Sequence, residues 1–310
     1  MKTICKKVQK QTLLGLAILA ASVAMVSCSV DDPIADNSMA VKFTSGITAT
    51  PQVRSTIDGT GNSLWDLNDP IGIYMVNNGT TTVAEGAENI RYTAVQAGAT
   101  TTFNPGGTAI YYPVNETNKV SFIAYHPHNA AVANYVYPVN LATQSSQTGI
   151  DLMYAAANNG GAGYDKAYNA AINFTFGHKL AKLVMNISKV GLTDNITAVS
   201  ITGMNTKANF DLTGVDGLTG EGTPQAITPA TITAETKYEA ILLPATLGTG
   251  HTVEFTAGGN TYVWKMSEDI AKLEAGRIYT YDVTITRYAV NVSGSITKWE
   301  VGSAGNGTAE

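Results

Sequence analysis

Cysteine is nearly absent from this 310-residue chain; only Cys5 and Cys28 occur. Charge is scarce too, at 14% of residues, and long stretches rich in Glu and Lys are missing. Their absence removes the usual material of exposed amphipathic helices. There is no P-loop, no G-x-G-x-x-G between strand and helix, and no G-x-S-x-G elbow. The common nucleotide-binding and serine-hydrolase chemistries therefore have no sequence support.

What is present begins with a leader. Lys2, Lys6, Lys7 and Lys10 precede an apolar run from Leu13 to Val26. That run falls short of the roughly 20 residues that a membrane-spanning helix needs. A basic start, a short apolar middle and small residues at the end read as an export signal. Met25-Val26-Ser27-Cys28 has the pattern of a bacterial lipobox. The expected outcome is removal of residues 1–27 and a covalent lipid on Cys28. Cys5 then leaves with the leader, so no thiol pair remains for a disulfide, for zinc or for catalysis. Lipidation explains the unpaired Cys28, and two or more acyl chains anchor a protein stably.

Without the leader's four lysines, 15 basic residues face 24 acidic ones, a net charge of −9. That balance argues against nucleic acid, which wants a basic patch. Residues 28–39 read as a polar tether with Asp31 and Asp32 at its start.

Short segments with β-branched and aromatic residues follow, separated by turn residues. In the first half they are AVKFTSGI (40–47), IGIYMV (71–76), AIYYPV (109–114), KVSFIAYHP (119–127), YVYPVNL (135–141) and DLMYAAA (151–157). The Gly- and Asn-rich stretch 158–169 is the expected boundary. AINFTF (171–176), KLAKLVMNIS (179–188), ITAVSITGM (196–204), ANFDLTG (208–214), YEAILLP (238–244), TVEFTA (252–257) and TYVWKM (261–266) continue the series. It ends in IYTYDVTITRYAVNVSGSI (278–296), read as two strands or one long one, with a helical turn expected in 267–277. The pattern predicts an all-β chain with two tandem β-sandwiches, residues 40–168 and 169–302, and a tail at 303–310.

Few residues suggest chemistry. His126 and His128 would share one side of an extended segment, as metal ligands do, but no third ligand lies near in sequence. A strand end turning at Pro127 is the plainer reading. Asp58, Thr60, Asn62, Asp66 and Asp69 fall at calcium-loop-like intervals, yet Ser63 and Asp69 stand where Gly and Glu belong. His178 sits among apolar residues and reads as structural. No carboxylate pair stands out for glycoside hydrolysis. No enzyme, metal site or further cofactor is expected.

Several pieces in order carry a family resemblance: the lipobox with acids behind it, VRSTIDGTGNSLWDLNDPIGIYM (53–75), FNPGGTAIYYP (103–113), VSFIAYHPH (120–128), DLMYAAANN (151–159), FTFGHKLAKLVMNI (174–187), YEAILLPATL (238–247), EAGRIYTYDVTI (274–285) and GSITKWEVG (294–302). Together they resemble the fimbrillin-like proteins of Bacteroidales, the lipoprotein-derived subunits of type V pili. The resemblance implies transthyretin-like (Ig-like) sandwiches, export to the outer membrane surface and incorporation into a fimbrium. It also implies a trypsin-like surface protease that cuts after the first strand, and other pilin subunits as partners through β-strand complementation.

Arg54 is the first arginine of the chain and lies in a polar, turn-rich stretch. Cleavage between Arg54 and Ser55 would detach the strand candidate at Val41–Ile47 and open a sheet edge. A donated strand would mend it by β-augmentation. The donor candidate is 288–301, with Val290, Val292, Gly294 and Ile296 on one face. The same segment also reads as the last strand of its own sandwich, and Arg54 as an ordinary loop arginine. An alternative function is a surface lipoprotein that binds glycans or a host ligand without polymerising, through Trp65, Trp264, Trp299 or Tyr111 with Tyr112.

Overall fold

The computed structural model of the chain describes residues 39–45, 56–57, 63–214 and 217–298, with positions 56, 57 and 63 described by backbone alone. Cys28, Arg54, Ser55, the 58–62 part of the calcium-like loop, Trp299 and the 303–310 tail lie outside these residues. The described chain is all-β. Helix is confined to one four-residue turn, Gln147–Ile150, and to two 3-10 turns at Asn159–Gly161 and Met266–Glu268. The last falls at the start of the segment expected to hold a helical turn.

The largest sheet has eight strands. Its order is Ile172–Phe174, Phe43–Ser45, Thr101–Pro105, Ile90–Ala94, Pro70–Asn77, Val120–His126, Met153–Ala157 and Gly177–His178. The two end strands are neighbours in sequence, separated by Thr175 and Phe176 alone. The sheet therefore rolls back on itself. Phe43 shows this directly: its ring lies 5.2 Å from that of Phe122, although three strands stand between theirs in the order. Inside the roll lies an aromatic-rich core that includes Phe43, Trp65, Tyr92, Phe103, Phe122 and Phe174.

Pro70–Asn77 and Val120–His126 are buried on both faces. Ile71, Ile73, Met75 and Phe122 point into the roll, while Tyr74, Val76, Ile123 and Tyr125 point out of it into a second core. This explains why IGIYMV and VSFIAYH are continuous apolar runs rather than alternating ones.

A five-stranded sheet follows in the order Ala230–Thr233, Lys237–Leu242, Ala181–Val190, Arg277–Thr286, Val290–Lys298. Ala181–Val190 and Arg277–Thr286 run parallel over nine residue pairs. One face packs Leu183, Met185, Val283 and Ile285 with Phe255 and Trp264 of the three-stranded sheet Ile196–Thr202, Thr252–Ala257, Asn260–Lys265. The other face supplies Val184, Ile241 and Ile278 to the second core, where they join Tyr74 and Tyr125.

The two halves are thus fused by a common core. They also share a sheet: Val136–Asn140 of the first half pairs with Lys207–Asp211 of the second, which pairs in turn with Leu218–Glu221. The chain leaves the rolled sheet after His178, not at the break expected at 168/169, because Ile172–Phe174 and Gly177–His178 are both strands of that sheet. Residues 109–114, expected as a strand, form only the single bridge Ala40↔Tyr111. Ile110 N–H is taken by the hydroxyl of Tyr92, and Pro113 has no N–H to give.

Candidate strand-exchange slot

Val41 and Phe43 alternate with Lys42 and Thr44, the pattern of a strand with one buried face. In the fold, Val41, Phe43 and Ser45 are buried and Lys42 is exposed. Phe43–Ser45 lies between strands distant in sequence. It pairs antiparallel with Thr101–Pro105, with Phe43 opposite Phe103, and parallel with Ile172–Phe174, with Phe43 opposite Ile172. Val41 N–H donates to Ile110 O at 2.9 Å, Ile172 N–H donates to Lys42 O at 2.7 Å, and Thr44 Oγ1 donates to Thr101 O at 2.9 Å.

The ring of Phe43 is enclosed on three sides. It meets Tyr92 edge-on at 5.0 Å, Phe122 edge-on at 5.2 Å and Phe174 stacked at 5.5 Å. Burial raises the pKa of Tyr92, whose hydroxyl accepts from Ile110 beside the same strand. Ser45 fits less well, because its buried hydroxyl has no hydrogen-bond partner among the described residues. Lifting out this one strand would leave a slot one strand wide, walled by Thr101–Pro105 and Ile172–Phe174.

Val290–Lys298 occupies a contrasting position at the edge of the five-stranded sheet. Among the described residues it pairs only with Arg277–Thr286, over nine residues. Val290 and Val292 are half-buried against the core, and Ile296 is 53% exposed. Gly294 is required here. A Cβ at that position would lie 2.3 Å from the Tyr281 ring and 2.6 Å from Thr280 O. In this structure Val290 and Val292 pack against the core of the second half, and Ile296 does not.

The other candidates are structural. His126 is buried; its Nδ1–H donates to Pro70 O at 3.0 Å, and burial lowers its pKa to about 4. His128 stands away from it, stacked near Tyr125. His178 and Asp151 form a buried pair at 2.8 Å. Asp69 serves its own turn by accepting from Asp66 N–H. Among the described residues no group of His, Cys, Asp and Glu is placed to hold a metal. Trp65, Trp264 and Tyr112 are core residues at 0%, 3% and 3% exposure, so they are not the sugar-stacking platforms considered from sequence. Tyr111 is exposed at 40%.

Sequence reasoning missed Ile90–Ala94 and Thr101–Pro105, the second of which is a slot wall. Thr101 and Phe103 point inward there, but Thr101 is itself polar and Thr102 and Asn104 flank Phe103, which dilutes the apolar signal.

Comparison with known proteins agrees with this architecture. A family model for fimbrillin-like proteins matches residues 54–299. A Bacteroides uniformis protein described as a fimbrium subunit, Fim1C, is 32% identical over 317 residues, covering 97% of this chain and 98% of that protein. A crystal structure of a protein described as a cell adhesion protein, also from Bacteroides uniformis, superposes with a TM-score of 0.71 at 32% identity, covering 85% of this chain and 98% of that one. A second, from Bacteroides ovatus, shares the fold with a TM-score of 0.62 at 20% identity, covering 86% and 99%. On the match across most of its length, the chain belongs to the fimbrillin-like family.

Proposed function

We propose that this protein is a fimbrial subunit, exported as a lipoprotein and assembled on the cell surface by strand exchange between copies. The leader is removed before Cys28, and the lipid on Cys28 holds the precursor at the outer membrane. A trypsin-like protease cuts between Arg54 and Ser55. The Ala40–Ser45 segment then has no covalent tie to the rest of the subunit, and its slot becomes available.

The observation that carries this reading is the placement of Phe43–Ser45 between Thr101–Pro105 and Ile172–Phe174. A strand that precedes Arg54 in sequence fills an inner position of the sheet rather than an edge. Its loss strips Val41 and Phe43 from the core, each worth roughly 1.5–3 kcal/mol when fully buried. It also leaves backbone donors and acceptors unpaired on both walls. A second subunit's Val290, Val292, Gly294 and Ile296 supply apolar groups at the matching two-residue spacing. Leaving their own sheet costs comparatively little, because Val290 and Val292 are only half-buried and Ile296 is mostly exposed. Full burial in the slot offsets that cost.

The test uses wild-type and Arg54→Ala protein, each treated with an Arg-specific protease. Wild type should begin at Ser55 on N-terminal sequencing and run as a ladder of oligomers on a mildly heated gel. Arg54→Ala should keep its lipidated Cys28 and stay monomeric. Ladders of equal extent from Arg54→Ala would overturn the processing step. Ladders that persist when the chain is truncated after Tyr288 would overturn the donor assignment.

A further inference from the structure

A cleft in the second half is lined in part by Tyr288, Ala289 and Val290, the first residues of the donor candidate 288–301. Three turns converge there. One follows Ala181–Val190 and runs through Gly191 to Asp194. The second is the Gly258–Gly259 turn between Thr252–Ala257 and Asn260–Lys265, after which Asn260, Thr261, Tyr262 and Val263 line the cleft. The third, Arg287–Ala289, joins the last two strands of the five-stranded sheet. The cleft they enclose has a volume of about 710 Å³ and opens broadly to solvent.

Its rim is fixed at the backbone. Thr286 pins the third turn from both directions: its N–H donates to Ala289 O at 2.8 Å, and its hydroxyl accepts from Ala289 N–H at 2.9 Å. Tyr288 stands on that pinned tip, 90% exposed. Arg287 beside it is exposed and makes no hydrogen bond or ion pair among the described residues. Across the cleft, the Asp194 carboxylate lies against the second turn. Gly258 permits the approach, since a Cβ there would sit 2.6 Å from that carboxylate, and its φ of +57° also favours glycine. Asn260 Nδ2 donates to Gly258 O at 3.3 Å, which fixes its amide at the rim.

From this geometry we infer that the cleft binds a saccharide chain. Sugar rings offer two kinds of surface: a face of C–H groups that lies on an aromatic ring, and an edge of hydroxyls. Tyr288 supplies the ring, carried on a hairpin tip whose backbone Thr286 fixes. Asp194 accepts from hydroxyls, Arg287 donates to hydroxyls or to a sugar carboxylate, and Asn260 can do both. The cleft lacks the dry apolar floor that anchors a protein hot spot. Its breadth suits an extended chain of sugars. Loops gathered at one end of a sandwich are the part of such a fold that is free to recognise a ligand. The inference concerns the subunit whose Val290–Lys298 strand is seated in its own sheet, as it is here.

The experiment uses purified full-length protein without its leader. It is applied to an array of sialyllactose, lactose-terminated chains and high-mannose oligosaccharides, and hits are then titrated in solution. Wild type should bind at least one class. Tyr288→Ala should weaken that binding roughly tenfold, Tyr288→Phe should keep most of it, and Arg287→Ala should weaken carboxylated sugars more than neutral ones. Tyr111→Ala, at an exposed tyrosine outside the cleft, should bind as wild type. An empty array, or Tyr288→Ala binding as wild type, overturns the inference. So does an empty array together with loss of gel ladders in Tyr288→Ala, which would make the cleft a contact between subunits instead.

Discussion

The rings of Phe43 and Phe174 stack 5.5 Å apart and 12° from parallel, on two strands that run in the same direction. Phe43 is contributed by a strand that ends before Arg54 in sequence, and Phe174 by a strand at the end of the rolled sheet. The interior of the roll is therefore assembled from two parts of the chain that one peptide-bond cleavage would separate.

Replacing Phe43 with Ala should destabilise the unprocessed protein by about 3–5 kcal/mol, the usual cost of emptying a phenylalanine site in a packed core. Urea denaturation of the leaderless precursor measures it. Under the strand-exchange reading, a protein that begins at Ser55 should be indifferent to the change, because it has already lost residue 43.

His126 should make stability depend on pH. Its folded pKa, about 4, lies below the ordinary value near 6.5 because the ring is buried. Above about pH 6.5 the ring is neutral in both states and its contribution is complete. As pH falls towards 4, the unfolded chain takes up a proton that the native ring refuses, so stability drops. The loss should reach at most about 3 kcal/mol, and His126→Asn should show a shallower decline between pH 6.5 and 4.5 in the denaturation midpoint.

Lys182 and Glu239 form an ion pair on the face of the five-stranded sheet turned towards the shared core, with Lys182 buried. Changing Lys182 to Met alone leaves the mostly buried Glu239 with Lys237 Nζ, 3.3 Å from its other oxygen, and should cost about 1–3 kcal/mol. Changing both Lys182 to Met and Glu239 to Leu should recover most of that loss. Thermal melts of the two single variants and the double variant form the cycle.

Gly294→Ala should loosen the last strand selectively. The added methyl must displace either the Tyr281 ring or the Thr280 carbonyl, at a cost of about 1–3 kcal/mol. Hydrogen exchange should speed up across 290–298 while Ala181–Val190 stays protected. Equal protection in wild type and variant would show that the strand absorbs the change.

Strand identity was largely readable from composition. The expected 71–76, 119–127, 135–141 and 151–157 segments each contain an observed strand, and 278–296 resolves into two strands joined by the pinned Arg287–Ala289 turn. Strand partners were less readable. AINFTF follows the Gly-rich stretch, so it reads as the start of the second half, yet Ile172 pairs with Phe43. Nothing local in INF names a partner so far away, since pairing is decided by how the roll closes. The cleft residues were also silent. Arg287, Tyr288, Asp194 and Asn260 are spread over three turns, and only the sandwich gathers them. The buried Trp65 and Trp264, by contrast, stood out in the sequence because they are large, which is also why they fill the core.

Under the strand-exchange reading, the position of Ile172–Phe174 has a kinetic consequence. Its only backbone strand partner among the described residues is Phe43–Ser45, because it stands at the end of the sheet order. Once that partner is gone, only the buried side chains of Ile172 and Phe174 hold that wall in register, so the receiving site is not a ready-made notch. An incoming strand must order this wall as it enters, and capture becomes a joint folding event. Such events run well below the diffusion limit, which gives an activated subunit time to travel before it is joined.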